Sequence, residues 1–165
     1  MASFQKSIAE YKKQLEKGAI QEAYRGLMEY MMGLKTHFMK KYPDYVESGS
    51  LYYGYMDMTY FSIFPKSIKD RKLKIPIVFL HEEFRFEVWL SGVNRRVQDE
   101  YWKLIKDSKW NKYKLVSQEG PLVDSILEHI VVDNPDFSDL DGLTRQIEKG
   151  TLKFIQDVEN FLSTH

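Results

Sequence analysis

Leu73-Lys-Ile-Pro-Ile-Val-Phe-Leu80, His81-Glu-Glu83 and Phe84-Arg-Phe-Glu-Val-Trp-Leu90 decide the fold. Two apolar, β-branched runs flank a short polar turn, which is the pattern of a β-hairpin. In the second run Phe84, Phe86, Val88 and Leu90 alternate with Arg85, Glu87 and Trp89. Side chains alternate across a strand, so the first set faces a core and the second faces the other way. Upstream, residues 51–64 (LYYGYMDMTYFSIF) are almost all aromatic, β-branched or Met, which is strand chemistry. Apolar residues fall on both faces of this stretch, which predicts a central strand. Between the two, residues 65–73 (PKSIKDRKL) read as a basic loop or short helix.

Outward from this core the period changes to that of a helix. Phe4, Ile8, Tyr11 and Leu15 share one helical face, with Ser3 or Ser7 as cap and Gly18 just past the end. Ile20, Tyr24, Leu27, Met28, Met31, Leu34 and Phe38 stripe a second helix that Pro43 terminates. Together the two predict a helical hairpin. Downstream, Asn94 caps a helix over Arg95–Lys106, and Lys112–Val116 reads as a fourth strand. Leu122–Ile130 reads as a short helix, Asp133–Asp136 as a loop, and Asp139–Leu162 as a helix with a break at Gly150. The order ααβββαβαα predicts a single α+β domain over residues 1–165. Its antiparallel sheet of about four strands carries the N-terminal helical hairpin and two C-terminal helices.

Composition narrows the chemistry. The 165 residues contain no cysteine, which removes disulfides, thiol nucleophiles and Cys-based zinc sites. No run approaches the ~20 apolar residues of a membrane span. Met1-Ala-Ser-Phe-Gln-Lys6 lacks the apolar stretch of a signal peptide, so the expectation is a cytoplasmic protein. Net charge is formally zero but uneven: residues 117–165 carry ten acids and three bases, residues 1–116 fourteen acids and twenty-one bases. Mutual neutralisation of the two segments in the fold accounts for this, and a nucleic-acid partner is not expected.

Tyr55-Met-Asp-Met-Thr-Tyr-Phe61, Leu73-Lys-Ile75, His81-Glu-Glu83, Arg85-Phe-Glu-Val-Trp-Leu90, Val123-Asp-Ser-Ile126 and Pro135-Asp-Phe137 resemble a family of small bacterial proteins of unknown function. The resemblance covers nearly the whole chain from the Gly18–Met32 helix onward. It implies a bacterial cytosolic protein and transfers no catalytic residue.

The element order also resembles the core of PD-(D/E)xK nucleases, in which acids on consecutive strands and a lysine hold Mg²⁺ and activate water. Asp57 and Glu87 are the matching acids. However, Glu87-Val88-Trp89 lacks the lysine, and Asp57 falls on the first strand rather than the second. Asp139, Asp141, Gly142 and Glu148 fit four positions of an EF-hand loop, but Phe137 stands at the first. Helix capping explains the aspartate there, and no metal site is expected. His37, His81, His129 and His165 show no ligand spacing, His81 reading as a solvated turn residue. The phosphate-binding glycine motifs are absent, and no cofactor is expected.

The basic residues 66–74 and 95–114 interleave with Tyr101, Trp102, Trp110 and Tyr113, a pattern that suits phosphate and base contacts. A solvated helix face with core or interface aromatics is the preferred explanation. The remaining candidate is the sheet face bearing Tyr55, Asp57, Arg85, Glu87 and Trp89, a polar–aromatic combination suited to a ligand cleft. The function expected is non-catalytic binding of an unidentified small molecule or protein through that cleft, with a homodimer as one form. A divergent or degenerate nuclease is the alternative.

Overall fold

In the computed structural model, residues 3–45, 49–120 and 123–165 are described. Two N-terminal helices lead in, α1 (Phe4–Lys17) and α2 (Ala19–Lys41). Ser3, rather than Ser7, caps α1 by accepting from Lys6 N at 3.3 Å. Gly18 joins the helices in the left-handed region at φ 79°, which a glycine adopts without steric cost. The α2 stripe buries Met28, Met31, Leu34 and Phe38. The α1 stripe behaves otherwise: Phe4, Ile8 and Tyr11 are 82%, 42% and 58% exposed, and no α1 residue is buried.

The sheet has five strands: β1 (Met58–Ile63), β2 (Leu73–Leu80), β3 (Arg85–Gly92), β4 (Lys114–Leu115) and β5 (Leu127–Asp133). All neighbours are antiparallel, in the spatial order β1-β2-β3-β5-β4. Between the strands lie the single-turn helix α3 (Lys66–Lys69) and helix α4 (Arg95–Ser108), and α5 (Leu140–Ser163) ends the chain. The mixed α+β class and the central β2–β3 hairpin are as the sequence predicts.

Three expectations are corrected. Residues 51–64 do not form one central strand: Gly54 and Met56 take φ of 76° and 63°, which turns the chain, and β1 lies at a sheet edge. Leu127–Asp133, expected as the end of a helix, is the fifth strand, so one C-terminal helix follows rather than two; Pro121 and Leu122 lie outside the described residues. Finally, α5 runs through Gly150 without a break. That glycine permits close packing, because a Cβ there would meet Val131 Cγ1 at 2.8 Å. Val131 is the residue left over where the β3–β5 register shifts between Phe86 and Glu87.

Residues directly opposed in a sheet share a face. Phe61, Ile77, Val88 and His129 are opposed in series and form one face. The helices cover it: Phe38 of α2 packs against Phe61, Tyr30 of α2 against Phe86, and Phe154 of α5 against His129. Two buried carboxylates on α5 lock this layer. Glu148 accepts from Tyr42 Oη at 2.5 Å and His37 Nε2 at 2.9 Å, with Lys41 Nζ at 2.8 Å. Asp157 accepts from Tyr113 Oη at 2.6 Å and from Lys153 at 2.7 Å, with Lys112 at 3.2 Å. The second face carries Tyr60, Val78, Glu87 and Ile130 in one row and Trp89, Glu128 and Lys114 in another. Among the described residues, no helix is long and apolar enough to cross a membrane.

Candidate functional site

The second sheet face meets the N-terminus of α4 in a cleft of about 440 Å³. Pro76 and Trp89 line it from the sheet, Tyr52 and Tyr60 from one side, and Lys74 and Arg95 bring cations to its edge. Asp124 stands among the lining residues as a carboxylate.

Local sequence builds each wall. Tyr52 and Tyr60 exchange both backbone hydrogen bonds, at 2.8 and 3.0 Å, and their rings lie 5.0 Å apart. The loop between them closes through Gly54, where a Cβ would collide with the Met58 backbone. The opposite wall is the start of α4. Asn94 Oδ1 caps it by accepting from Val97 N at 2.9 Å. Gly92 precedes it because a Cβ there would come within 2.5 Å of Gln98 N. Gln98 then ties the wall to its neighbour, donating from Nε2 to Val123 O at 2.9 Å. The third wall, residues 123–126, is held beside β3 by Ser91 Oγ donating to Asp124 O at 2.6 Å and Ile126 N donating to Leu90 O at 2.7 Å.

The five residues singled out in the sequence divide between two places. Arg85, Glu87 and Trp89 share the second face as expected, and they form one unit. Arg85 Nε donates to Glu87 Oε2 at 2.7 Å, and Trp89 Nε1 donates to Glu87 Oε1 at 2.8 Å. Glu87 is 1% exposed and both of its oxygens are engaged, so it supports the indole that lines the cleft. Tyr55 and Asp57 belong instead to the turn before β1. Tyr55 is 91% exposed, and neither residue lines the cleft. Asp57 accepts from Tyr55 N at 2.8 Å, and the Tyr55 and Met58 amides hold its carboxyl below the usual range.

Other groups resolve into structural roles. Thr59 is fully buried and donates to Tyr53 O at 2.7 Å, so its hydroxyl proton is already placed. His81 Nε2, 2.8 Å from Thr59 Oγ1, is therefore the donor to that oxygen. Burial pushes the His81 ring below the usual imidazole range, and Asp57 opposes that only in part. The expectation of a solvated His81 thus gives way to a half-buried ring packed edge-on to Phe79. His129, expected on a helix beside Glu128, is on β5 under Phe154. Asp139 caps α5 by accepting from Gly142 N at 3.0 Å, while Glu148 is bonded within the helix layer. Among the described residues no three His, Asp or Glu side chains are grouped to hold a metal ion.

The aromatic residues that interleave with the basic ones face inward. Trp110 stacks on Phe161 at 4.5 Å, Trp102 donates to Val116 O at 2.7 Å, and Tyr113 bonds Asp157. Sequence reasoning missed Gly92, Gln98 and Asp124, which reach the cleft from separate segments. Their one signal is indirect: Asp124 lies in Val123-Asp-Ser-Ile126, one of the strings that carry the resemblance.

No curated protein and no solved structure matches the chain. A family model does, over residues 4–162, and the chain belongs to that family, the domain of unknown function DUF7000.

Proposed function

We propose that the protein is a non-catalytic binding domain, and that the cleft over Trp89 takes a small molecule with a flat apolar part and an anionic group. The observation that carries this reading is the cleft itself. Its volume of about 440 Å³ falls within the span of ligand pockets, ~300–1,000 Å³. It opens where an aromatic sheet face meets the N-terminus of a 14-residue helix. The Trp89 indole is fixed in orientation by Glu87, and the Tyr52–Tyr60 pair offers further ring surface for a flat group. Lys74 has no ion pair among the described residues, and the first-turn amides of α4 add partial positive charge. Asp124 supplies an acceptor for a hydroxyl or amine on the ligand.

Non-catalytic binding is the reading because the described lining residues include no His, Ser, Thr or Cys, and Asp124 is the one carboxylate among them. The nuclease alternative needs Asp57 and Glu87 free to hold a metal together. Each is instead committed to its own local donors.

The test is an NMR screen of the ¹⁵N-labelled chain against small aromatic carboxylates and phosphates. Binders should shift the Trp89 indole N–H and the Gly92–Arg95 amides, leaving the Trp102 and Trp110 indoles in place. Trp89→Ala should abolish those shifts. A screen whose binders act elsewhere, or one without binders, refutes the reading.

A further inference from the structure

An apolar groove of about 580 Å³ lies on the helix side of the molecule, away from the cleft. Tyr24 and Leu27 of α2, Met56, Phe84 in the β2–β3 turn, Phe137 and Leu140 line it. Met56, Phe84 and Leu140 are 53%, 44% and 47% exposed, a concentration of apolar surface that water does not favour. The same chain carries a matching element whose apolar face is uncovered among the described residues. Helix α1 presents Phe4, Ile8 and Tyr11 on one face, all exposed, and its fourteen residues span about 21 Å.

The charges are complementary. Helix α1 bears Lys6, Lys12, Lys13 and Lys17 against Glu10 and Glu16. Exposed acids flank the groove-lining residues in sequence: Glu22 and Glu29 on α2, Glu82 and Glu83 beside Phe84, Asp136 beside Phe137 and Asp141 beside Leu140. Arg25 is the exposed base on that stretch of α2.

We propose that the chain forms a two-fold homodimer in which α1 of each copy seats its Phe4–Ile8–Tyr11 face in the groove of the other. A two-fold arrangement makes this contact twice, so each copy gives a helix and receives one. The apolar stripe supplies the burial, and the lysines of α1 meet the acidic rim, which fixes orientation.

Sedimentation equilibrium of the full chain tests this. The wild type should show a mass twice 19.6 kDa. Ile8→Asp and Leu140→Asp change exposed positions, so circular dichroism should report an intact fold. Each should weaken the dimer at least about 30-fold, the loss typical of a central interface residue. Mixing the two variants restores one intact helix–groove contact, and a heterodimer should form where neither variant dimerises alone. Lys12→Glu with Lys13→Glu should also weaken the dimer, and Glu82→Lys with Glu83→Lys in the same chain should recover it. A wild type that stays monomeric to about 1 mM overturns the proposal, whether α1 then folds onto its own groove or binds lipid vesicles. So does a dimer that survives both Ile8→Asp and Leu140→Asp.

Discussion

Trp89 donates its indole N–H to Glu87 Oε1 at 2.8 Å, across one intervening residue of the same strand. Arg85 closes the other side of the carboxylate at 2.7 Å. Three alternate residues of β3 thus act as one unit. The charge at its centre is hidden, and the ring at its end is held against the cleft.

Removing the centre of that unit has a calculable consequence. Glu87→Ala leaves a buried indole N–H without an acceptor and a half-buried guanidinium without its counter-ion. Breaking a buried pair from one side costs about 3 kcal/mol, and Glu87→Gln, which keeps an acceptor for Trp89, should lose about half of that. Urea denaturation at neutral pH reads both values. If Glu87→Ala unfolds within about 0.5 kcal/mol of the wild type, Glu87 does not hold the indole.

The two carboxylates of α5 set the acid limit of stability. Burial alone would raise Glu148, but hydrogen bonds from Lys41, Tyr42 and His37 outweigh it and bring its pKa to about 2. Asp157 is likewise raised by burial and more strongly lowered by Lys153, Tyr113 and Lys112, to about 2. Both folded-state values lie below the ordinary 4.5 and 3.8. The stabilisation is therefore complete above those ordinary values and is lost as pH falls toward 2. Glu148→Gln should lower stability near neutrality by about 3 kcal/mol, and the difference from the wild type should shrink through that acid window. Thermal unfolding followed against pH provides the comparison. Curves that run parallel from neutrality to pH 2 contradict the assignment.

The parts of this architecture that the sequence discloses are those with local causes. Phe86, Val88 and Leu90 alternate with Glu87 and Trp89, and their faces follow. Asn94 and Gly18 mark helix ends by their own conformational preferences. What escapes has non-local causes. In β5 the extra Val131 breaks the period of two, so Leu127–Val132 shows no alternation to recognise as a strand. Residues 58–63 carry apolar side chains on both faces because Met58 and Tyr60 line the cleft, not because the strand is central. Trp89 is legible as a residue of the second sheet face, where the cleft lies. Tyr55 and Asp57 look like its neighbours only if Gly54 and Met56 are read as strand rather than turn. Lys74, Gln98 and Asp124 come together only through the sheet order, which no short-range pattern encodes.

Two glycines should respond in opposite directions. At Gly92 a methyl group would lie 2.5 Å from Gln98 N and 2.9 Å from Asn94 O, both backbone atoms that cannot rotate away. Gly92→Ala should cost about 2 kcal/mol and shift the amides at the start of α4. At Gly33, inside α2, a methyl group meets nothing within 4 Å. Gly33→Ala should raise stability by about 0.5–1 kcal/mol, the usual gain from replacing glycine within a helix. Denaturation midpoints measure both. A Gly92→Ala protein as stable as the wild type would show that the α4 wall yields, and the cleft geometry with it.

Asp57, His81 and Thr59 lie near one another and invite comparison with a catalytic triad, and the direction of the hydrogen bonds decides against it. Thr59 gives its proton to Tyr53 O, and His81 gives its own to Thr59 Oγ1. The hydroxyl is thus a buried connector between the β1 edge, the preceding turn and the end of β2, with no proton for the imidazole to remove. Thr59→Ser preserves both bonds and should stay within about 1 kcal/mol of the wild type. Thr59→Val keeps the shape but strands the Tyr53 carbonyl and the His81 N–H, and should cost about 2 kcal/mol. Because burial depresses His81, the wild type also draws stability from the neutral ring. That stability is full above the ordinary imidazole value of 6.5 and declines as pH falls below it. A loss in Thr59→Ser with none in Thr59→Val, measured in urea at pH 7.5, would mean that the hydroxyl bonds nothing and that the methyl group alone holds the site.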